Sequence, residues 1–288
     1  QEDFTQLLEL CDHIVFNSFG QWKKYRQQVQ DATRNISCGI RINPGYAEVE
    51  TDLYNPCISG SRMGVPLEQM EDDFAGLDGI HFHTMCEQNS DVLERTLDHM
   101  LPQFDKWLKR CKWVNFGGGH HITRPDYDVE RLVRCIERVR DTYGVQVYLE
   151  PGEAVALNAG YLVATVLDVV HNGMDIAILD ASAACHMPDV LEMPYRPHIL
   201  YSGTAGEKAY TYRLAGNTCL AGDVIGDYSF DHQLQAGEKL VFCDMAIYSM
   251  VKNNTFNGVP LPDIALYQNG HIDLVKRFGY ADFEGRLS

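Results

Sequence analysis

Short apolar runs alternate with amphipathic helical stretches through the first half of this chain, and that alternation allows few folds. The runs are His13–Ser18, Cys38–Asn43 (CGIRIN), Gly79–His83 (GIHFH), Trp113–Phe116 and Val145–Leu149. Helical patterns at Phe4–Cys11, Gly20–Asp31, Asp91–Lys109 and Val129–Thr142 separate them, with an irregular polar stretch at Pro44–Gly64 and a short helix after Pro66. Strand–helix alternation at this spacing requires parallel strands joined by helical crossovers. Runs so short and so apolar read as strands buried on both faces. Five such units suit an open doubly wound sheet, or part of a closed βα barrel, which needs eight. In either layout ligands bind at the carboxyl ends of the strands.

After Gly152 the pattern changes. Tyr161–His171 is a long β-branched run, and Asp175–Asp180, Lys239–Asp244 and Asp263–Tyr267 read as further strands between Gly, Asn, Pro and Asp turns. Helical periodicity is scarce there. The expected organisation is an α/β region over residues 1–160 and a mainly β domain over 161–288.

The polar residues that carry chemistry stand where the first-half strands end. These are Arg41 and Asn43, His81 and His83, the three glycines Gly117–Gly119, and Glu150 followed by Pro151 and Gly152. Glycines after a strand let backbone N–H groups approach an anion closely, although they also make ordinary tight turns. A carboxylate at the mouth of a parallel strand needs a partner, and a nitrogen base is one. One phosphate cradle beside one acid is what a phosphorylated pyridine cofactor requires. His81 and His83 alternate on one strand, so one is expected toward the interior of the sheet and the other toward the helices. His81, His83, His120 and His121 could bind metal only by converging from two strand ends, and no metal site is expected. Cys219 lies in an irregular segment, GNTCLAGD, with Asp223 four residues on. Tyr248 follows an apolar strand in MAIYSMVKNNTFNG.

Composition narrows the partners. The formal charge of −16 repels nucleic acid and anionic lipid and favours cationic ligands such as polyamines. Nine cysteines without a CxxC pair point to reduced thiols and a cytoplasmic protein rather than to disulfides or structural zinc. No apolar run approaches the ~18 residues of a membrane span, and no signal peptide is evident.

Taken together, GIRINPG, SRMGV, GIHFHTMCEQN, WVNFGGG, YLEPGEA, NTCLAGD and IYSMVKNNTFNG resemble the pyridoxal-phosphate decarboxylases of the alanine racemase and ornithine decarboxylase fold type. EPGE, CLAGD and FDHQLQAGEKL resemble most the branch acting on carboxynorspermidine or carboxyspermidine. The resemblance runs from about residue 5 to the C-terminus. It implies a (β/α)8-type barrel, of which about five units are present, followed by a C-terminal β domain. It also implies a homodimer with shared active sites that bind pyridoxal 5'-phosphate.

The resemblance further implies individual roles. His83 stacks on the pyridine ring, and Glu150 pairs with the ring nitrogen. Gly118, Gly119 and the turn at Gly152 and Glu153 hold the phosphate, helped by Tyr248. Arg41 lies around His83. Cys219 acts across the dimer interface as the acid that protonates carbon after CO₂ leaves. Asp180 and Asp223 bind the distal amines of the substrate, with Glu153 nearby. Glu153 stands where many relatives have an arginine on the phosphate, and Leu220 where other branches have an acidic substrate contact.

The cofactor-tethering lysine of the family belongs on the second barrel strand, whereas the first strand here, His13–Ser18, matches the fourth. None of the nine lysines suits that role, Lys252 being the nearest to plausible. Three further strands, or about 90 residues at ~30 per unit, are therefore expected upstream. The start of the chain inside a helix, without Met, agrees with a fragment. Three alternatives stay open: a lysine-less pseudoenzyme or non-covalent cofactor-binding partner, another decarboxylase of the fold, and an amino-acid racemase.

Overall fold

The computed structural model describes residues 3–288 and divides into two compact units, the first ending at Val155 and the second beginning at Ala156. The first unit contains β1 (His13–Phe16), β2 (Ser37–Asn43), β3 (Val65–Pro66), β4 (Gly79–His81), β5 (Trp113–Asn115) and β6 (Gln146–Tyr148). All pairings are parallel, in the order β1-β2-β4-β5-β6, with β3 attached to the end of β2. Each of the five main strands lies beside its successor, without the reversal of order that defines a doubly wound sheet. That is the wall of a βα barrel.

Helices α1 (Phe4–Leu10), α2 (Phe19–Gln30), α3 (Ser90–Leu108) and α4 (Val129–Tyr143) connect or flank these strands. Local chemistry fixes their ends. Asn89 caps α3 by accepting from the Ser90 amide. Asp128 caps α4 by accepting from the Arg131 amide, and Gly144 closes it in the left-handed region at φ 67°. Along α3, Leu93, Leu97, Met100, Phe104 and Leu108 recur at three- and four-residue spacing and are fully buried. The segment after Pro66 is a single 3-10 turn, Leu67–Gln69, rather than an α-helix.

Burial of the strands differs from the expectation at the edges. Ile40, Ile42, Ile80 and Val114 in the middle strands are at most 1% exposed. Val15 on β1 and Tyr148 on β6 are 37% and 38% exposed. Each edge strand has one neighbour, so its apolar residues are covered on one side only.

Two strand glycines make room for an indole. A Cβ on Gly79 would lie 2.1 Å from the Trp113 ring, and one on Gly39 would lie 2.3 Å from it. The indole is pinned by its own N–H, which donates to Ser37 Oγ at 2.8 Å, and cannot withdraw. Gly79→Ala is expected to destabilise the first unit by about 3 kcal/mol, the upper end of overpacking costs. Gly20→Ala, inside α2 with its nearest neighbour 3.7 Å away, should be neutral or slightly stabilising. Urea denaturation midpoints of the two variants check the contrast.

The second unit has a six-stranded sheet in the order β12-β7-β8-β10-β11-β9. Its members are β7 (Tyr161–His171), β8 (Asp175–Leu179), β9 (Gly203–Thr204), β10 (Tyr210–Ala215), β11 (Val224–Phe230) and β12 (Lys239–Cys243). Only the β8–β10 pair is parallel. A separate hairpin, β13 (Ile264–Gln268) and β14 (His271–Lys276), follows. The β10–β11 pair, absent from the sequence reading, is part of this sheet, with β10 beside β8 and β11 beside the edge strand β9. Gly226 and Asp227 within β11 look like turn residues, but Asp227 pairs across the sheet with Arg213 of β10 at 2.8 Å. Among the described residues all nine cysteines are free, and no helix is long and apolar enough to cross a membrane.

Candidate active site

Strand register gathers the polar residues of the first unit. Arg41, His81, Asn115 and Tyr148 are direct neighbours across β2, β4, β5 and β6. One residue further along each chain, Ile42, Phe82 and Phe116 are fully buried, and Leu149 packs on the same core. Two residues further come Asn43, His83, Gly117 and Glu150. Because side chains alternate along a strand, residues two apart share a face. This corrects the expectation that His81 and His83 point to opposite sides. Their donor atoms, together with those of Glu150, lie within 4.8 Å of one another. Such spacing could also accept a metal ion, but His120 and His121 take no part in the group.

Glu150 is half exposed and held at one oxygen. Its Oε1 accepts from Asn115 Nδ2 at 2.8 Å and lies 3.6 Å from His81 Nε2. The neighbouring His81 imidazole outweighs partial burial and, with Asn115, holds the carboxyl down at about 2. Its Oε2 makes no hydrogen bond or ion pair with a described residue. Asn115 also orders the adjacent turn, since its Oδ1 accepts from the Gly117 amide at 2.8 Å.

The turn after β5 lies tight against its neighbours. The Gly118 amide donates to His83 Nδ1 at 3.3 Å, and a Cβ on Gly118 would meet Glu150 O at 2.8 Å and His83 Cε1 at 3.0 Å. Gly119 has φ +81°, and a Cβ there would lie 2.1 Å from Met85 O. Only glycine fits at Gly119. His83 is partly buried, and burial, followed by the positive charge of Arg41, pushes its imidazole below the usual range. Burial pushes His120 down to about 4.

Buried imidazole nitrogens without partners collect here: Nδ1 of His81, Nδ1 of His120 and both nitrogens of His121. Buried polar atoms are normally satisfied, so this cluster marks a place where a polar ligand or water belongs. His120, His121, Gly119 and Glu153 line a crevice about the size of one water, together with Glu87 and Pro151. An open cavity of about 250 Å³ is lined by Val15, Asn17, Arg41, His81 and Glu150. Gly152 and Glu153 begin the short helix α5 (Gly152–Ala156), and the Gly152 amide donates to Glu150 O at 2.8 Å.

The remaining expected residues belong to the second unit. Cys219 is exposed, and its Sγ accepts from Asn257 Nδ2 at 2.7 Å. Tyr248 is 53% exposed at the start of a one-turn helix. Asp180 is exposed, with Oδ1 accepting from the Thr165 amide at 2.6 Å. Asp223 is only 3% exposed and accepts from Ser182 Oγ at 2.8 Å, Thr218 Oγ1 at 2.7 Å and the Ala184 amide at 3.2 Å. Its carboxylate ties the Cys219 loop to the segment after β8, which differs from the expected contact with a substrate amine. Lys252 Nζ pairs with Asp189 at 2.5 Å and with Glu192 at 3.3 Å. In the first unit Lys23 and Lys112 pair with Glu71 and Asp78, and no lysine lines the 250 Å³ cavity.

Sequence reasoning passed over Asn115, Asn257 and the contact of His81 with Glu150. For the first and third the signal was present: polar residues at alternate positions of three neighbouring strand ends.

Comparison with known proteins follows the same outline. The family model "Pyridoxal-dependent decarboxylase, C-terminal sheet domain" matches residues 13–246. A carboxynorspermidine/carboxyspermidine decarboxylase of Campylobacter jejuni subsp. jejuni serotype O:6 is 42% identical, over 99% of this chain and 77% of the relative. A carboxyaminopropylagmatine decarboxylase of Synechocystis is 41% identical, over 99% of this chain and 74% of the relative. The crystal structure of carboxynorspermidine decarboxylase complexed with norspermidine, from Campylobacter jejuni, superposes with a TM-score of 0.89 at 41% identity. It covers 99% of this chain and 78% of that one.

Proposed function

The chain belongs to the pyridoxal-dependent decarboxylases, in the branch that holds the carboxynorspermidine/carboxyspermidine decarboxylases, and on that premise we propose that it decarboxylates carboxynorspermidine or carboxyspermidine to norspermidine or spermidine. The observation that carries this reading is Glu150, held ionised at one oxygen beside His83 and a glycine turn. The residues fit pyridoxal phosphate: a carboxylate with an uncommitted oxygen, a flat imidazole next to it, and a turn that leaves no room for side chains.

When bound, the cofactor supplies an electron-accepting pyridinium ring for the electron pair left on carbon as CO₂ departs. Glu150 keeps the proton on the ring nitrogen. His83 would lie against the ring, its Nδ1 held by the Gly118 amide. Gly118, Gly119 and Gly152 would leave room for the phosphate by carrying no side chains, with Tyr248 adding a hydroxyl and Glu153 bordering the pocket. Arg41 adds positive charge next to His81 and His83. Cys219 delivers a proton to the substrate carbon, its thiol oriented by Asn257. Asp180 receives a distal ammonium group, and Asp223 supports the Cys219 loop in place of touching substrate. A homodimer brings the cysteine of one copy to the site of the other. The acidic surface, with a formal charge of −16, concentrates a polycationic substrate.

A second reading is favoured by the Synechocystis relative, whose identity is nearly the same: a substrate that ends in guanidinium rather than ammonium. Mass spectrometry after incubation with pyridoxal phosphate and each of carboxynorspermidine, carboxyspermidine and carboxyaminopropylagmatine separates the two. The expected result is conversion of the first two, with loss of CO₂. Conversion of the guanidinium compound alone assigns the second reading, and no conversion by protein with cofactor bound removes both.

A further inference from the structure

We propose that His81 is a positioning residue, which with Asn115 holds Oε1 of Glu150 so that Oε2 alone is presented to the ring nitrogen of the cofactor. The assignment rests on the cofactor reading above and goes beyond it to a residue with no expected role.

Four observations carry it. The His81 side chain is 8% exposed, so its orientation is set by packing rather than by solvent. Its Nε2 lies 3.6 Å from Glu150 Oε1, the same oxygen that Asn115 Nδ2 reaches at 2.8 Å. Its Nδ1 is buried without a partner, so Nε2 is the ring nitrogen that faces an acceptor, the carboxylate. Finally, Arg41, His81 and Asn115 are register neighbours on three adjacent strands, so the backbone ladder fixes both donors relative to each other.

One hydrogen bond from Asn115 and the His81 imidazole packed 3.6 Å away on the same oxygen leave the carboxylate little freedom to rotate. A carboxylate free to turn would meet a ring N–H with either oxygen and at varied angles, and a charge-assisted hydrogen bond weakens steeply off axis. His81 therefore acts through Glu150, without touching the cofactor itself. The same-face relation of residues two apart on a strand explains why the pattern H-x-H precedes the glycine turn: His83 serves the ring directly, and His81 serves its partner.

The test compares pyridoxal phosphate with its 1-deaza analogue, which carries C–H in place of the ring nitrogen. Dissociation constants are measured by fluorescence quenching of the purified protein. Wild-type protein should prefer pyridoxal phosphate. His81→Asn, whose amide is too short to reach Glu150, should reduce that preference about tenfold, the size expected for a weakened charge-assisted contact, and leave the deaza affinity unchanged. His81→Gln, whose Nε2 falls near the imidazole Nε2, should restore it. Should His81→Asn not fold, His81→Leu gives the same comparison. Equal weakening of both ligands, or an unchanged preference, overturns the assignment. Wild-type protein that binds neither ligand overturns the cofactor reading and this assignment with it. Wild-type protein that binds both equally leaves the cofactor site standing and overturns the role given to Glu150 and His81.

Discussion

Glu150→Gln is expected to lower kcat/KM about 10²–10³-fold, the cost of removing one preorganised charge from a site where charge develops. Glutamine keeps the shape and can still accept from Asn115, but it cannot hold a proton on a pyridine nitrogen. The loss should fall mainly on kcat, since Glu150 is assigned to the ring nitrogen of the cofactor rather than to the substrate. The pH dependence has a defined sign. A carboxyl held at about 2 is ionised throughout the range in which enzymes are assayed, and becomes protonated only as pH falls toward that value. The acid limb of the wild-type pH–rate profile should therefore be unaffected by variants that shift Glu150 by one or two units. An acid limb that moves with Asn115→Ala would contradict this assignment.

Cys219→Ala is the second large effect. General acid catalysis contributes about 10²–10⁴-fold, so kcat for polyamine formation should fall by that order while cofactor affinity is retained. The thiol is exposed and accepts a hydrogen bond from Asn257 at 2.7 Å, an arrangement that orients a sulfur rather than burying it as packing. Steady-state kinetics at saturating substrate, with cofactor affinity measured in parallel, check it. Unchanged kcat would assign the proton delivery elsewhere.

The fold was legible where sequence information is local. Periodicity located the five main parallel strands of the first unit, though not the two-residue β3, and their ends fall within two residues of the structure. It could not locate β10 and β11. Their identity as strands depends on pairing with each other, and Asp227 and Gly226 take on sheet roles only once Arg213 lies opposite. Nor could it place Asp223. The resemblance implies a substrate contact there, but the folded loop surrounds it with donors from Ser182, Thr218 and Ala184. Residues 41 and 39 positions away are invisible to spacing.

The candidate site was legible in outline because strand ends concentrate polar residues. Glu150, His83 and the glycines do converge in the first unit. The finer arrangement required register. Asn115 becomes a partner of Glu150 only because β5 and β6 pair without a slip, bringing Asn115 opposite Tyr148 and one pleat below Glu150. A one-residue slip would turn Asn115 toward the helices and bring Phe116 to the carboxylate.

The central claim is that this chain removes CO₂ from a carboxylated polyamine by means of pyridoxal phosphate. The most direct measurement is release of labelled CO₂ from carboxyl-labelled carboxynorspermidine by the purified full-length protein, with and without added cofactor. The account predicts release that requires pyridoxal phosphate and is reduced about 10²–10³-fold by Glu150→Gln. Release without the cofactor, or none from protein shown to bind it, would contradict the account.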